Sequence, residues 1–132
     1  MKSLNNRAKK IFFDLCNTLD NGPYIICKGF ASKINNNDCF MPVSVERIQT
    51  LSGEDGISIA HYFVQNGDLM ADPEMEFIIE DNEVYPISFK LDSLGIYQYA
   101  KLSENQKDEK LQEELTFFAN QWMKNIQLQQ FS

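Results

Sequence analysis

Apolar residues recur every three or four positions at the two ends of this chain and every second position through its middle. The first spacing belongs to a helix that buries one stripe, the second to a strand that buries one face. Near the N-terminus, Leu4, Ala8, Ile11, Phe12, Leu15 and Leu19 make a helical stripe, with Ser3 placed as its N-cap and Asn21-Gly22-Pro23 as its stop. Residues 24–28 read as a strand, 33–38 as a loop, and 39–49 as a strand with Val43, Val45 and Arg47 on one side. In 57–65, alternation groups Ile57, Ile59, His61 and Phe63, while a helix would group Ile57, Ala60, His61 and Val64. Short length and β-branched content favour the strand. Met75, Phe77 and Ile79 alternate with Glu76, Ile78 and Glu80, and 81–83 form a polar turn. The next strand, 84–91, sets Tyr85, Ile87, Phe89 and Leu91 on one side; Pro86 inside it requires a sheet edge or a bulge. Residues 92–95 turn, and Ile96, Tyr97, Tyr99 and Leu102 start a further strand. At the C-terminus Leu111, Leu115, Phe118, Trp122 and Ile126 form a helical stripe, with Ser103 as cap and Glu104 and Asp108 in or near the first turn. Trp122 is read as core.

These elements predict an α+β fold: an antiparallel β-meander of five or six strands with an N-terminal and a C-terminal helix packed on one face. The 132 residues suffice for a single domain spanning 1–132. Cys16, Cys27 and Cys39 show no paired spacing, so reduced, buried thiols are expected. No stretch is apolar for long enough to cross a membrane, and the start lacks a continuous apolar run, so a cytoplasmic chain is expected.

Charge is unevenly placed. Residues 1–50 carry seven basic and four acidic side chains, whereas 51–132 carry five basic and fifteen acidic ones, giving −7 in all. Such a chain is repelled by phosphate backbones, so direct nucleic-acid binding is disfavoured. Arg7, Lys9 and Lys10 read as the solvated side of the first helix.

The strings HYFVQNGDLMADPEM (61–75) and YPISFKLDSLGIYQ (85–98) resemble signature blocks of a family of small bacterial proteins of unknown function. FMPVSVERI (40–48) is similar to the same family, and the likeness runs over about residues 39–100. The resemblance implies an accessory role on mobile genetic elements; it implies no activity.

The chemistry-bearing candidates are His61, Asp68, Asp72 and Glu74, with Tyr85, Asp92 and Gln98 as further binding residues. One imidazole among carboxylates can hold magnesium, manganese or calcium, or divide acid and base roles if burial separates their pKa values. The simpler reading is structural: Asn66-Gly67-Asp68 and Asp72-Pro73 form turns whose carboxylates accept backbone N–H bonds, and His61 is an ordinary sheet histidine. Asp92, Tyr97 and Gln98 could line a polar groove.

Three functions stay open. One is a protein-interaction module using a sheet edge or the acidic 68–83 stretch, which contains no Lys or Arg. Another is a metal-assisted hydrolase centred on 61–74; the last is a small-molecule binding module. A protein partner is expected. A homodimer is expected if the uncovered sheet face keeps large apolar side chains.

Overall fold

The computed structural model describes residues 1–20 and 31–131. The expected stop at 21–23, the strand at 24–28 and Cys27 lie outside the described residues.

Helix α1 (Asn6–Asp20) is followed by six strands in meander order: β1 (Ala31–Ile34), β2 (Val43–Gln49), β3 (Asp55–Gln65), β4 (Asp68–Glu80), β5 (Glu83–Leu91) and β6 (Ile96–Tyr99). Each pairs antiparallel with its neighbours in sequence. A short hairpin, β7 (Lys101–Ser103) with β8 (Gln106–Lys107), leads into helix α2 (Glu109–Gln130). The α+β expectation therefore holds, and 57–65 is strand. No helix among the described residues is long and apolar enough to cross a membrane.

Two tight turns set the central hairpins. Asn66 and Gly67 both have positive φ (53° and 84°), as do Asp81 and Asn82 (52° and 63°). Two such residues match the right-handed twist of flanking strands. At Gly56 the constraint is close approach: a Cβ there would stand 2.7 Å from the Phe77 carbonyl oxygen and 2.8 Å from Thr50 Cγ2.

Both helices pack on one sheet face. Leu4, Ala8, Phe12 and Leu15 from the N-terminal segment and α1, Leu115, Ala119, Met123 and Ile126 from α2, and Val45, Ile59, Met75 and Phe77 from the sheet form one buried cluster. Trp122 is buried there, as expected. α2 also clasps the chain with two buried amides. Gln112 Nε2 donates to the Lys2 and Pro86 carbonyls (2.8 and 3.1 Å), and Gln112 Oε1 accepts from the Lys2 N–H at 2.6 Å. Gln130 Oε1 accepts from the N–H groups of Asn36 and Asn37, at 2.7 and 3.1 Å.

Several boundaries differ from expectation, each for a local reason. Asn5, not Ser3, caps α1: its Oδ1 accepts from the Ala8 N–H at 2.8 Å, while the Leu4 N–H is held by the Val84 carbonyl. Lys33 and Ile34 belong to β1 rather than to a loop, because Ile34 has a buried partner in Val43. β2 begins at Val43 rather than at 39, and Cys39 is exposed. Asp72-Pro73 is no turn: β4 runs straight through it, with one extra residue opposite His61. A second bulge falls on Ile87, so Tyr85 and Phe89 lie on opposite faces instead of one. Pro86, which cannot donate to a ladder, sits beside that bulge. Leu102 belongs to β7, not to the strand of Tyr97 and Tyr99. Asp108, not Ser103, caps α2, accepting from the Leu111 N–H at 3.0 Å; Ser103 is taken by the hairpin. Phe118 lies at the margin of the helix stripe, 42% exposed.

Candidate functional site

Among the described residues both helices lie on one sheet face, and on the other the register arranges the polar residues in two rows. One row crosses the sheet as Ala60, Glu74, Lys90 and Tyr97; the other as Ser58, Glu76, Ser88 and Tyr99. Carboxylates therefore stand on the central strand β4, a lysine and a serine beside them on β5, and two tyrosines on the edge strand β6.

Hydrogen bonds fix these groups. Glu74 Oε1 accepts from the Tyr62 hydroxyl at 2.9 Å and from Ser58 Oγ at 3.2 Å. Lys90 Nζ lies 4.0 Å from Glu74 Oε2 and 3.7 Å from Asp92 Oδ1, bridging the two carboxylates. Asp92 also accepts from the Ala71 N–H at 2.7 Å and from the Tyr97 hydroxyl at 3.2 Å. Ser88 Oγ donates to Glu76 Oε1 at 3.0 Å. Glu74, Glu76, Ser88, Phe89, Lys90 and Tyr99 surround a small cavity of about 110 Å³.

The electrostatics follow from this packing. Burial pushes the Glu76 carboxyl up, the Glu74 charge adds to that, and the Ser88 hydrogen bond opposes it. Burial, then the charge and hydrogen bond of Glu74, raise the Tyr62 phenol well above its ordinary range. Asp92 is lowered by the Ala71 N–H and by Lys90, against a smaller effect of burial. A cation brought to the face would offset the burial and the Glu74 charge that oppose ionisation of Glu76. Paired acids, a lysine and phenols are thus held in fixed positions on this face.

Of the seven residues singled out in the sequence, the fold brings Glu74 and Asp92 together through Lys90. His61 lies on the helix-covered face, 5% exposed, its Nδ1 3.0 Å from the Pro42 carbonyl oxygen and its ring edge-on to Trp122. Asp68 is exposed next to the Asn66-Gly67 turn, and Asp72 sits at the bulge opposite His61. Tyr85 pairs with Ile78 across the strands, and Gln98 lies on the helix side beside Phe89, Leu111 and Phe118. Among the described residues, no three His, Cys, Asp or Glu side chains gather as a group that could hold a metal ion. The acidic stretch is also less bare than its sequence: Glu74, Glu80 and Glu83 meet Lys90, Lys101 and Lys9.

Sequence reasoning missed Ser58, Tyr62, Glu76, Ser88, Lys90 and Tyr99 as site members. The alternation of Glu74 and Glu76 marks one face of β4. Knowing which β5 residues stand beside them requires the Ile87 bulge, which shifts the register by one.

Fold and face together define a six-stranded antiparallel sheet with helices on one side and an organised acidic–aromatic surface on the other. The chain belongs to the family described as Domain of unknown function (DUF6908), whose model matches residues 10–132. That match reaches both helices, beyond the 39–100 stretch that carries the motif resemblance. No curated protein and no solved structure matches the chain.

Proposed function

We propose that this chain is a protein-interaction module that presents the open sheet face to a basic segment of a partner protein. The observation that carries this reading is one face that sets exposed tyrosines on β6, Tyr97 at 55% and Tyr99 at 43%, in register across Lys90 and Ser88 with the partly buried carboxylates Glu74 and Glu76 on β4. Tyrosine offers large contact area at low entropic cost and is enriched where proteins meet. Carboxylates in a partly dry setting favour a cationic side chain over a neutral one. The mobile-element context implied by the motif resemblance supports an accessory binding role of this kind.

The test is a selection of displayed random peptides on the immobilised chain, followed by measurement of each selected peptide in solution. Selected sequences should be enriched in Arg or Lys. Their affinity should fall about tenfold or more, some 1.4 kcal/mol, in the Glu74→Gln, Glu76→Gln double variant. Peptides that bind the double variant as tightly as the wild type would overturn the reading, as would a selection without enrichment of basic residues.

A further inference from the structure

We infer that β6 is a docking edge for an extended segment of a partner protein in which apolar and basic residues alternate. The inference rests on the open-face reading above and adds the partner's backbone conformation and side-chain pattern.

Among the described residues, β6 forms the outer edge of the six-stranded sheet. Residues in an antiparallel ladder alternate between pairs that exchange hydrogen bonds and pairs that do not. The Ala100 N–H donates to the Ile87 carbonyl at 2.7 Å, in the same register as the Gln98–Phe89 and Ile96–Leu91 pairs. Tyr97 and Tyr99 fall between these, so their own N–H and C=O groups turn away from β5 toward the open edge. An extended chain laid along that edge would find two donors and two acceptors at strand spacing, the basis of recognition by strand addition.

The side chains on either side of the edge differ in character. Tyr97 and Tyr99 stand on the open face, with Lys90 and Ser88 opposite them and Glu74 and Glu76 one strand further in. Gln98, between them, stands on the helix side at a groove of about 160 Å³ lined by Phe89, Leu111, Glu114, Leu115 and Phe118. An added strand alternates in step with β6. Its residue beside Gln98 would enter the groove, where Phe89, Leu111 and Phe118 suit an aliphatic side chain. Its neighbours on each side would lie over the tyrosines, within reach of an acidic surface. Three carboxylates there, Glu74, Glu76 and Asp92, face the single Lys90, so Lys or Arg is the complementary choice. A second copy of the chain is the poorer occupant: each copy carries −7, and pairing would bring two acidic faces together.

The probe is a synthetic, end-capped peptide of alternating Val and Arg, titrated into the full chain labelled with ¹⁵N. The Tyr97 and Tyr99 amides should shift and gain protection from hydrogen exchange. N-methylating the peptide at alternate residues keeps its side chains but removes the ladder donors, and one of the two phases should lose about tenfold or more in affinity. Tyr97→Pro removes an amide that points outward, which an edge strand tolerates. It should bind about tenfold more weakly than Tyr97→Ala. If Tyr97→Pro melts early, the N-methylated peptides against the wild type decide alone. Loss of binding in Glu74→Gln, Glu76→Gln with indifference to N-methylation and to the proline would overturn the docking edge and leave the open-face reading standing. Absence of binding at about 1 mM, or binding indifferent to every change, would overturn both. A dimer by sedimentation whose Tyr97 and Tyr99 amides are protected without peptide would assign the edge to a second copy and overturn the inference.

Discussion

On one face of the sheet Ile59, Met75 and Phe77 are sealed under two helices; one position along the same strands, Ser58, Glu74 and Glu76 meet Tyr62, Ser88 and Lys90 in a polar layer whose two serines are buried and whose glutamates, tyrosine and lysine solvent still reaches. The residues are sequence neighbours, so strand propensity and backbone hydrogen bonding are shared. What separates the faces is how each would respond to loss of an atom. Under the helices a lost group leaves a void, because surrounding side chains relax only partly. On the open face water fills the space and charges rehydrate. The covered face therefore sets stability, while the open face can vary in chemistry at low cost to the fold.

The largest effect follows directly. Phe77 is fully buried, with its ring 5.1 Å from that of Phe12. Phe77→Ala should lower unfolding free energy by about 3–5 kcal/mol, read from the midpoint of urea denaturation. Tyr97→Ala, on the open face of the same sheet, should cost about 1 kcal/mol or less, the scale of a cross-strand pair. Equal losses at the two positions would break the comparison.

The same contrast explains what could be read from sequence. The covered face was legible because burial leaves a periodic mark: the stripe from Leu4 to Leu19, the alternation of Met75 and Phe77, and Trp122 all fell where expected. Asn66-Gly67 announced its hairpin by turn chemistry. The open face was legible only in part. Glu74 and Asp92 stand out in the sequence, but their link, Lys90, depends on a β4–β5 register that the Ile87 bulge moves by one residue. Pro86 hinted at one bulge; Asp72-Pro73 looked like a turn because proline usually punctuates strands. His61 drew notice as the only histidine, yet its alternation with Ile59 already put it on the covered side. Gln112 and Gln130 were passed over because a glutamine that clasps buried backbone looks, in sequence, like one that faces water.

Lys101 sharpens the comparison, because it is a charge buried in the manner of the core. Its side chain is 1% exposed, and Nζ lies 2.5 Å from Glu54, 3.2 Å from Glu104 and 4.0 Å from Glu80, tying the β7–β8 hairpin to the sheet. Burial alone would lower the Lys101 pKa, but the Glu54 and Glu104 carboxylates raise it overall. Burial would likewise raise Glu54, but hydrogen bonds from Lys101 and Ser52 bring it down. A raised lysine contributes stability that is full below its unfolded pKa and lost as pH climbs through the folded one. A lowered glutamate contributes stability that is full above its unfolded pKa and lost as pH falls through the folded one. The pair is therefore strongest across neutral pH. Lys101→Met should cost about 1–2 kcal/mol at pH 7, less than breaking a fully buried pair, because the three carboxylates keep access to water. The difference from wild type should shrink below the ordinary glutamate range and again above the ordinary lysine range. A difference that stays constant across pH would mean that the lysine stem, not its charge, holds the hairpin.

The smallest effect has the opposite sign and separates the two faces most cleanly. Glu76 is pushed up by burial and by the neighbouring Glu74 charge, so at neutral pH its ionised form is a cost to the folded state. A raised carboxyl makes the folded chain bind a proton more readily than the unfolded one, so its stabilising contribution is present at low pH and lost as pH rises through the folded pKa. Glu76→Gln removes that charge and keeps both the length of the side chain and an oxygen to accept from Ser88. Stability at pH 7 should rise, by about 0.5 kcal/mol or less. The gain should shrink as pH falls through the folded pKa and vanish below the ordinary glutamate range, where the carboxyl is neutral in both the folded and the unfolded chain. Binding of a basic peptide should weaken in the same variant. A residue serving the fold would move stability and binding down together; a recognition residue held at some cost to the fold moves them apart. Calorimetric melting at pH 7 and pH 4, beside a peptide titration at pH 7, reads both quantities. A loss of stability at pH 7 by Glu76→Gln would place Glu76 with the covered face in kind, and the division of labour between the faces would fail at its central strand.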